Sequence, residues 1–180
     1  MITTERLLLR KWTSDDAEPL ARMHESPEMM RFLGGPMTRE QTDEMLARIR
    51  THWETRGFGV FALTILGQHE KSLAGMCGIL VPRWESRFQP CVEILWRLRP
   101  DLWGRGLVTE AARAALKDGF ETHRFEEVLA FTVPDNVRSW RVMERLGMKR
   151  SPEDDFDHPL VAEGDPLRRH MLYRLKRSAE

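Results

Sequence analysis

Val92-Glu93-Ile94-Leu95-Trp96-Arg97-Leu98-Arg99-Pro100-Asp101-Leu102-Trp103-Gly104-Arg105-Gly106-Leu107-Val108-Thr109-Glu110-Ala111 reads as an apolar strand that runs into a Gly-x-Gly turn and then directly into an alanine-rich helix. Two glycines let the backbone approach a ligand closely, and a helix N-terminus presents amide hydrogens without intrahelical partners together with a partial positive charge. That chemistry suits an anion, most naturally a phosphate or pyrophosphate. The same turn also occurs as a plain strand-to-helix connector. It is not an ATP-type phosphate loop, because no Gly-Lys-Ser/Thr follows, and it lacks the third glycine of the dinucleotide fingerprint.

Working outward from this segment, residues 91–98 form a strand and residues 109–123 a helix, with Val108, Ala112, Ala115, Leu116, Gly119 and Phe120 making one stripe. Upstream, residues 59–66 and 72–81 read as two strands of a hairpin around the polar turn at 67–71. Before them, Thr38-x-x-Gln41 is a capping box for a helix carrying Met45, Leu46, Ile49 and Trp53, ending near Gly57. A first strand covers residues 6–12, Thr13 and Ser14 offer caps for a helix through Ala17, Leu20, Ala21 and His24, and Ser26-Pro27 opens a short turn. Downstream come a strand at 127–133, a short helix at 135–146 stopped by Gly147, a polar stretch at 151–166 and a last strand at 170–175. This order predicts one α+β (mixed α/β) domain over residues 1–180, with a central, mostly antiparallel twisted sheet flanked by helices.

The charge balance excludes some partners. With 28 Lys and Arg against 28 Asp and Glu among 180 residues, the chain carries no basic surplus for nucleic acid or an acidic membrane surface. Hydrophobic residues at 41% supply a sizeable core. No apolar run approaches the roughly 18 residues of a membrane span, and the opening Met-Ile-Thr-Thr-Glu-Arg lacks a signal-peptide pattern. Cys77 and Cys91 read as reduced core thiols, and the six histidines show no ligand spacing, so no metal is expected. These features point to a cytoplasmic protein.

A second motif is Thr132-Val133-Pro134-Asp135-Asn136-Val137-Arg138-Ser139-Trp140, continuing to Leu146-Gly147-Met148. On a helix Ser139 shares a face with Val142, Met143 and Leu146, so its hydroxyl turns inward. It then bonds either a carbonyl one turn back or a ligand in a neighbouring cleft. Asn136 is either a cap or a second ligand contact.

Together these segments resemble the GNAT N-acetyltransferase superfamily, in particular its RimJ/RimL-like branch of ribosomal-protein N-terminal acetyltransferases. Thr4-Glu5-Arg6-Leu7-Leu8-Leu9-Arg10 is similar to that branch's opening strand, and Trp103 to Ala111 to its acetyl-CoA turn. Asn136-x-x-Ser139 with Leu146-Gly147-Met148 is similar to its next motif. The resemblance implies acetyl-CoA as co-substrate, held by Leu98, Trp103, Gly104, Arg105, Gly106, Leu107, Val108, Thr109 and Asn136. It also implies an amine acceptor, either a protein N-terminus or a small molecule. A homodimer and a catalytically silent acyl-CoA-binding sensor on the same fold are both left open. Two departures stand out. Asp101 occupies a position where the wider superfamily has Gln or Arg, and the single tyrosine, Tyr173, lies in the last strand rather than near the thiol, where the branch has a serine, here Ser139.

Amine acetylation needs a neutral amine and a stabilised leaving thiolate. An α-amine, with a pKa of about 7.7 to 8.0, needs far less help than a lysine near 10.4. Glu93 matches the glutamate of a Glu-Ile-Gly-Tyr-like pattern and is the preferred base or amine-positioning group, acting through water. Ser139 is the candidate donor to sulfur, Tyr173 the reserve acid, and Trp84 the aromatic residue placed nearest the acceptor. Glu110, in the first turn of its helix, reads as a helix-dipole or capping carboxylate.

Overall fold

Near-continuous apolar runs, buried on both faces, build an antiparallel core pair from the predicted hairpin. The computed structural model describes residues 1–67 and 72–177, so most of the expected 67–71 turn, with His69, lies outside the described residues. In chain order the elements are β1 (Ile2–Thr3), β2 (Leu7–Arg10), α1 (Ala17–His24), α2 (Pro27–Met30), α3 (Arg39–Arg56), β3 (Val60–Ile65) and β4 (Leu73–Leu80). Then follow β5 (Glu93–Leu98), α4 (Leu107–Glu121), β6 (Glu127–Thr132), α5 (Val137–Arg145), β7 (Lys149–Arg150), β8 (Phe156–Asp157) and β9 (Arg169–Lys176).

The local signals act as their chemistry requires. Thr38 accepts from the Gln41 amide while the Gln41 side chain accepts from the Thr38 amide, and Gly57 closes α3 in the left-handed region at φ 76°. Ser26 caps α2 by accepting from the Met29 amide. Thr13 caps a 3-10 turn at Ser14–Asp16, and only then does α1 begin. Asp16 there is 1% exposed and held by Arg10 through two contacts of 2.7 Å.

Among the described residues the strands form one sheet in the order β1-β2-β3-β4-β5-β6-β9-β7, with β8 on β9. Every pairing is antiparallel except β5 with β6, which run parallel because α4 carries the chain back between them. One sheet face packs on α4 through Phe61, Leu63, Cys77, Ile94 and Leu98 against Leu107, Ala111, Ala115 and Leu116. The other packs on α1–α3 through Val60, Ala62 and Met76 against Leu20, Met23, Met30 and Leu46. The parallel pair is the weak seam, with Glu93↔Leu129 as its single registered pair. Beyond that point β5 and β6 separate toward their C-terminal ends, and a cleft opens where α4 and α5 begin.

Candidate active site

An open cleft of about 1790 Å³ lies where β5 and β6 part. One wall is the glycine turn. Gly104 and Gly106 both adopt left-handed backbone, at φ 75° and 76°, and Gly106 stands at the cap position of α4. That conformation strongly favours glycine and starts the helix at Leu107, two residues earlier than the expected Thr109, with Leu107 docked in the core at 5% exposure. The first helical bond runs from the Glu110 amide to the Gly106 carbonyl, leaving the amides of residues 104–109 without backbone acceptors. No atom comes within 4 Å of an added Gly104 Cβ, and only Arg6 Nη2, at 3.6 Å, meets one at Gly106. The turn is therefore an open cradle of donors whose shape fits a pyrophosphate group. Arg113, Lys117, Arg138, Arg141 and Arg145 add a basic rim to the same cleft.

Of the residues expected to hold the coenzyme, Leu98, Trp103, Gly104, Gly106, Leu107, Val108, Thr109 and Asn136 all line the cleft. Trp103 is anchored by its indole N–H to the Leu98 carbonyl at 2.8 Å, with the Arg138 guanidinium 4.4 Å from its ring centre. Arg105 does not line the cleft; its exposed side chain turns back to the Asp101 carbonyl at 2.9 Å. Asp101 itself is paired with Arg99 at 2.7 Å. Glu110 stands in the first turn of α4, as the helix-dipole reading expects, and does not cap the helix. Its carboxylate accepts from the Thr4 hydroxyl at 2.6 Å and the Arg6 amide at 2.8 Å, and it pairs with the Arg6 guanidinium, tying the N-terminal segment onto α4.

The opposite wall carries the second motif. Asn136 does not cap α5 with its side chain; its Nδ2 donates to Thr132 Oγ1 at 2.9 Å. Ser139 is half-buried and lines the cleft, and its hydroxyl makes no hydrogen bond to any described residue, neither to the carbonyl one turn back nor elsewhere. Val142 and Met143 lie beside it on the buried face of α5.

Glu93 opens β5 and lines the cleft. Its Oε2 is sealed from solvent and is the single such side-chain atom without a hydrogen-bond partner among the described residues. Burial without compensation pushes the carboxyl up to about 8. Such a group exchanges protons near neutrality, as a general base must.

Other placements differ from expectation. Tyr173 is 5% exposed within β9 and packs in the α4-side core, away from the cleft lining. Trp84 lies behind the cleft, stacked on Phe156 at 5.2 Å and touching Phe131 and His158, which do line it. Sequence reasoning did not single out His158, His170 or Phe131. Their rings meet at 5.1 to 6.1 Å and form an aromatic wall, and burial holds His158 down at about 4. Arg97 was missed as well, although it stands four residues after Glu93 on the same strand. Among the described residues no group of three or more His, Cys, Asp or Glu could hold a metal ion, and no helix is long and apolar enough to cross a membrane.

Residues 6–149 match the model of the family described as Acetyltransferase (GNAT) domain. The protein YkkB of Bacillus subtilis (strain 168) is 30% identical over 154 residues, spanning 83% of this chain and 86% of its own. The crystal structure of a GNAT-family acetyltransferase from Bacillus anthracis is 28% identical and superposes with a TM-score of 0.76 over 97% of both chains. The same fold, at 13% identity and a TM-score of 0.72, covers 97% of this chain and 96% of RimL, a ribosomal L7/L12 alpha-N-protein acetyltransferase solved in complex with coenzyme A. With the family model covering most of its length and its motifs meeting in one cleft, the chain belongs to the GNAT acetyltransferase family and is an acetyl-CoA-dependent acyltransferase.

Proposed function

We propose that the protein transfers an acetyl group to a primary amine by direct attack within a ternary complex, and that the amine is a protein N-terminal α-amine, as in the RimJ/RimL-like branch. The observation that carries this reading is the placement of Glu93, a half-buried carboxyl whose Oε2 is sealed and unpartnered, on the same cleft as the open amides of the glycine turn. When bound, acetyl-CoA supplies an activated thioester carbonyl. The amides of residues 104–109 hold its pyrophosphate, the cationic rim attracts its remaining charge, and Asn136 and Thr109 line the path toward the reacting end.

Glu93 receives the proton of the incoming ammonium, directly or through one water. At pH 7 a carboxyl at about 8 is roughly one-tenth ionised, and an α-amine is roughly one-tenth neutral. The two are thus matched in proton affinity, so proton transfer between them is nearly thermoneutral. Ser139, with no protein partner, donates to the departing sulfur, and positioning supplies much of the remaining rate. Tyr173, buried in β9, takes no part. Trp84 acts on the acceptor only through Phe131 and His158. The free thiols Cys77 and Cys91 support a cytoplasmic setting. Small-molecule amines are the second acceptor class; the aromatic wall of Phe131, His158 and His170 favours that reading. A silent acyl-CoA sensor would keep the glycine turn but has no use for an uncompensated buried carboxyl.

The test is thiol release from acetyl-CoA with a panel of peptides and small amines, with products read by mass spectrometry. Acetylated peptide N-termini are expected. Tight acetyl-CoA binding without transfer to any amine would establish the sensor instead.

A further inference from the structure

Strand alternation puts Glu93, Leu95 and Arg97 on one face of β5, while Ile94, Trp96 and Leu98 join the α4 side. Met76, registered opposite Arg97, belongs to the α1–α3 cluster, which confirms the face. Glu93 and Arg97 therefore stand on the same side about 13 Å apart along the strand, and both line the cleft.

Arg97 has no carboxylate partner among the described residues. Its Nη1 donates to His24 Nε2 at 2.8 Å and rests near the sulfurs of Met45 and Met37, at 3.5 and 3.9 Å. A guanidinium can only donate, so His24 Nε2 accepts, and the ring's proton sits on Nδ1, which donates to Thr42 Oγ1 at 2.9 Å. His24 and Thr42 are both 0% exposed, and burial holds His24 down at about 4, so it remains a neutral acceptor. The N–H groups of Nη1, turned to His24 and the methionine sulfurs, thus hold the guanidinium in place. Nε and Nη2 have no partner, yet Glu93 Oε2 is the single sealed atom in that condition, so these donors open onto the cleft.

A half-buried cation with no counter-charge is costly, and this fold pairs its one buried carboxylate among the described residues, Asp16, with Arg10. Two buried neutral side chains on α1 and α3 orient Arg97, and its planar fork is left free toward the cavity. We propose that Arg97 binds a carboxylate of the acceptor, so that the substrate class is a primary amine bearing a carboxylate some distance from its reacting nitrogen. The amine lies at the Glu93 end of the strand and the carboxylate at the Arg97 end. This inference rests on the acetyl-transfer reading of the cleft. The span suits an acidic side chain near a peptide N-terminus better than the α-carboxylate of a free amino acid, which is separated from its nitrogen by one carbon.

The experiment compares Ser-Asp-Ala-Ala-amide, Ser-Asn-Ala-Ala-amide and free aspartate as acceptors for the full chain with acetyl-CoA. Wild type is expected to prefer the Asp peptide over the Asn peptide by about tenfold or more in kcat/KM, the scale of one charge-assisted contact. Arg97→Met should bring the two within about twofold while leaving acetyl-CoA affinity, measured by calorimetry, unchanged; Arg97→Lys should keep part of the preference. Faster turnover of free aspartate than of either peptide would move the source to free amino acids and keep the Arg97 assignment. Equal kcat/KM for the two peptides in wild type overturns the proposal, and that comparison needs no folded variant. If no acceptor turns over, calorimetry with the two N-acetylated peptides decides in the same way, equal affinities overturning it. Failure of wild type to bind acetyl-CoA would instead refute the reading of the glycine turn.

Discussion

Replacing Glu93 with glutamine keeps its shape and removes its ionisation, and the pH dependence of the loss separates three roles. Burial without a hydrogen bond holds this carboxyl at about 8, close to an α-amine at about 7.7 to 8.0. If Glu93 takes the proton from a bound ammonium, wild-type kcat/KM follows the product of ionised Glu93 and protonated amine, whereas the variant follows neutral amine alone. The ratio of the two is then flat below about pH 8 and falls about tenfold per pH unit above it, with a plateau of roughly 10² to 10⁴ set by general-base catalysis. A base with an ordinary carboxylate pKa would behave differently, because its advantage would keep growing as the pH fell toward about 4.5. If Glu93 acts only as a negative charge that positions an already neutral amine, the ratio rises to pH 8 and then levels. The assay is a steady-state profile from pH 6 to 10 with one peptide acceptor, read by thiol release from acetyl-CoA. A ratio near one throughout would refute both functional roles and leave Glu93 a strand residue. The same shift affects stability. A carboxyl with a raised folded-state pKa stabilises the fold below its unfolded pKa of about 4.5, and this contribution is lost as the pH rises through 8. Wild type should therefore lose roughly 3 kcal/mol relative to Glu93→Gln between pH 6 and 9, measured by urea unfolding.

Gly106→Val should cost about 1–2 kcal/mol of stability and weaken acetyl-CoA binding at least about tenfold. The cause is the left-handed backbone, since space is available, so Gly106→Asn should bind better than Gly106→Val; calorimetry showing equal affinities would refute the cradle. Ser139→Ala should lower kcat and Asn136→Ala raise the acetyl-CoA KM, the latter also losing about 1 kcal/mol through its bond to Thr132; constants within about twofold of wild type would remove both from the site. Glu110→Ala should cost about 1–2 kcal/mol and speed hydrogen exchange at the Arg6 amide, because three contacts to Thr4 and Arg6 disappear. Unchanged exchange would show that the N-terminal segment is held by β2 alone.

The elements that depend on near neighbours in the chain were readable. The Thr38–Gln41 box, Gly57, Ser26 and the 3.6-residue stripe of α4 all act through contacts within one or two turns, so their residue types carry the message. Boundaries moved where a distant contact decided them, as at Leu107, which joins α4 because it docks in the core. Ser139 was expected on the inward face of its helix and stands half-buried at the cleft, but sequence alone left its hydroxyl a choice of partners. The helix face of Glu110 was equally legible, yet not the segment at Thr4 and Arg6 that claims its carboxylate more than a hundred residues away.

The main strands and helices, the Gly-x-Gly turn and the donor-rich start of α4 follow from backbone sterics and side-chain periodicity and were legible in the residues, whereas the two-residue strands β1, β7 and β8, the last within the stretch expected to be polar, were not. Which groups share a cavity follows instead from how the elements pack. Separation of β5 from β6 after Glu93↔Leu129 creates the cleft, and the same packing removes water and partners from Glu93 Oε2, sends Tyr173 into the core and sets Trp84 behind Phe131. The proton affinity of Glu93 and the uncompensated charge of Arg97, held by His24 and Thr42, depend on how much solvent and how many partners remain after folding. Desolvation is set by everything packed around a group, and no local stretch of chain encodes it.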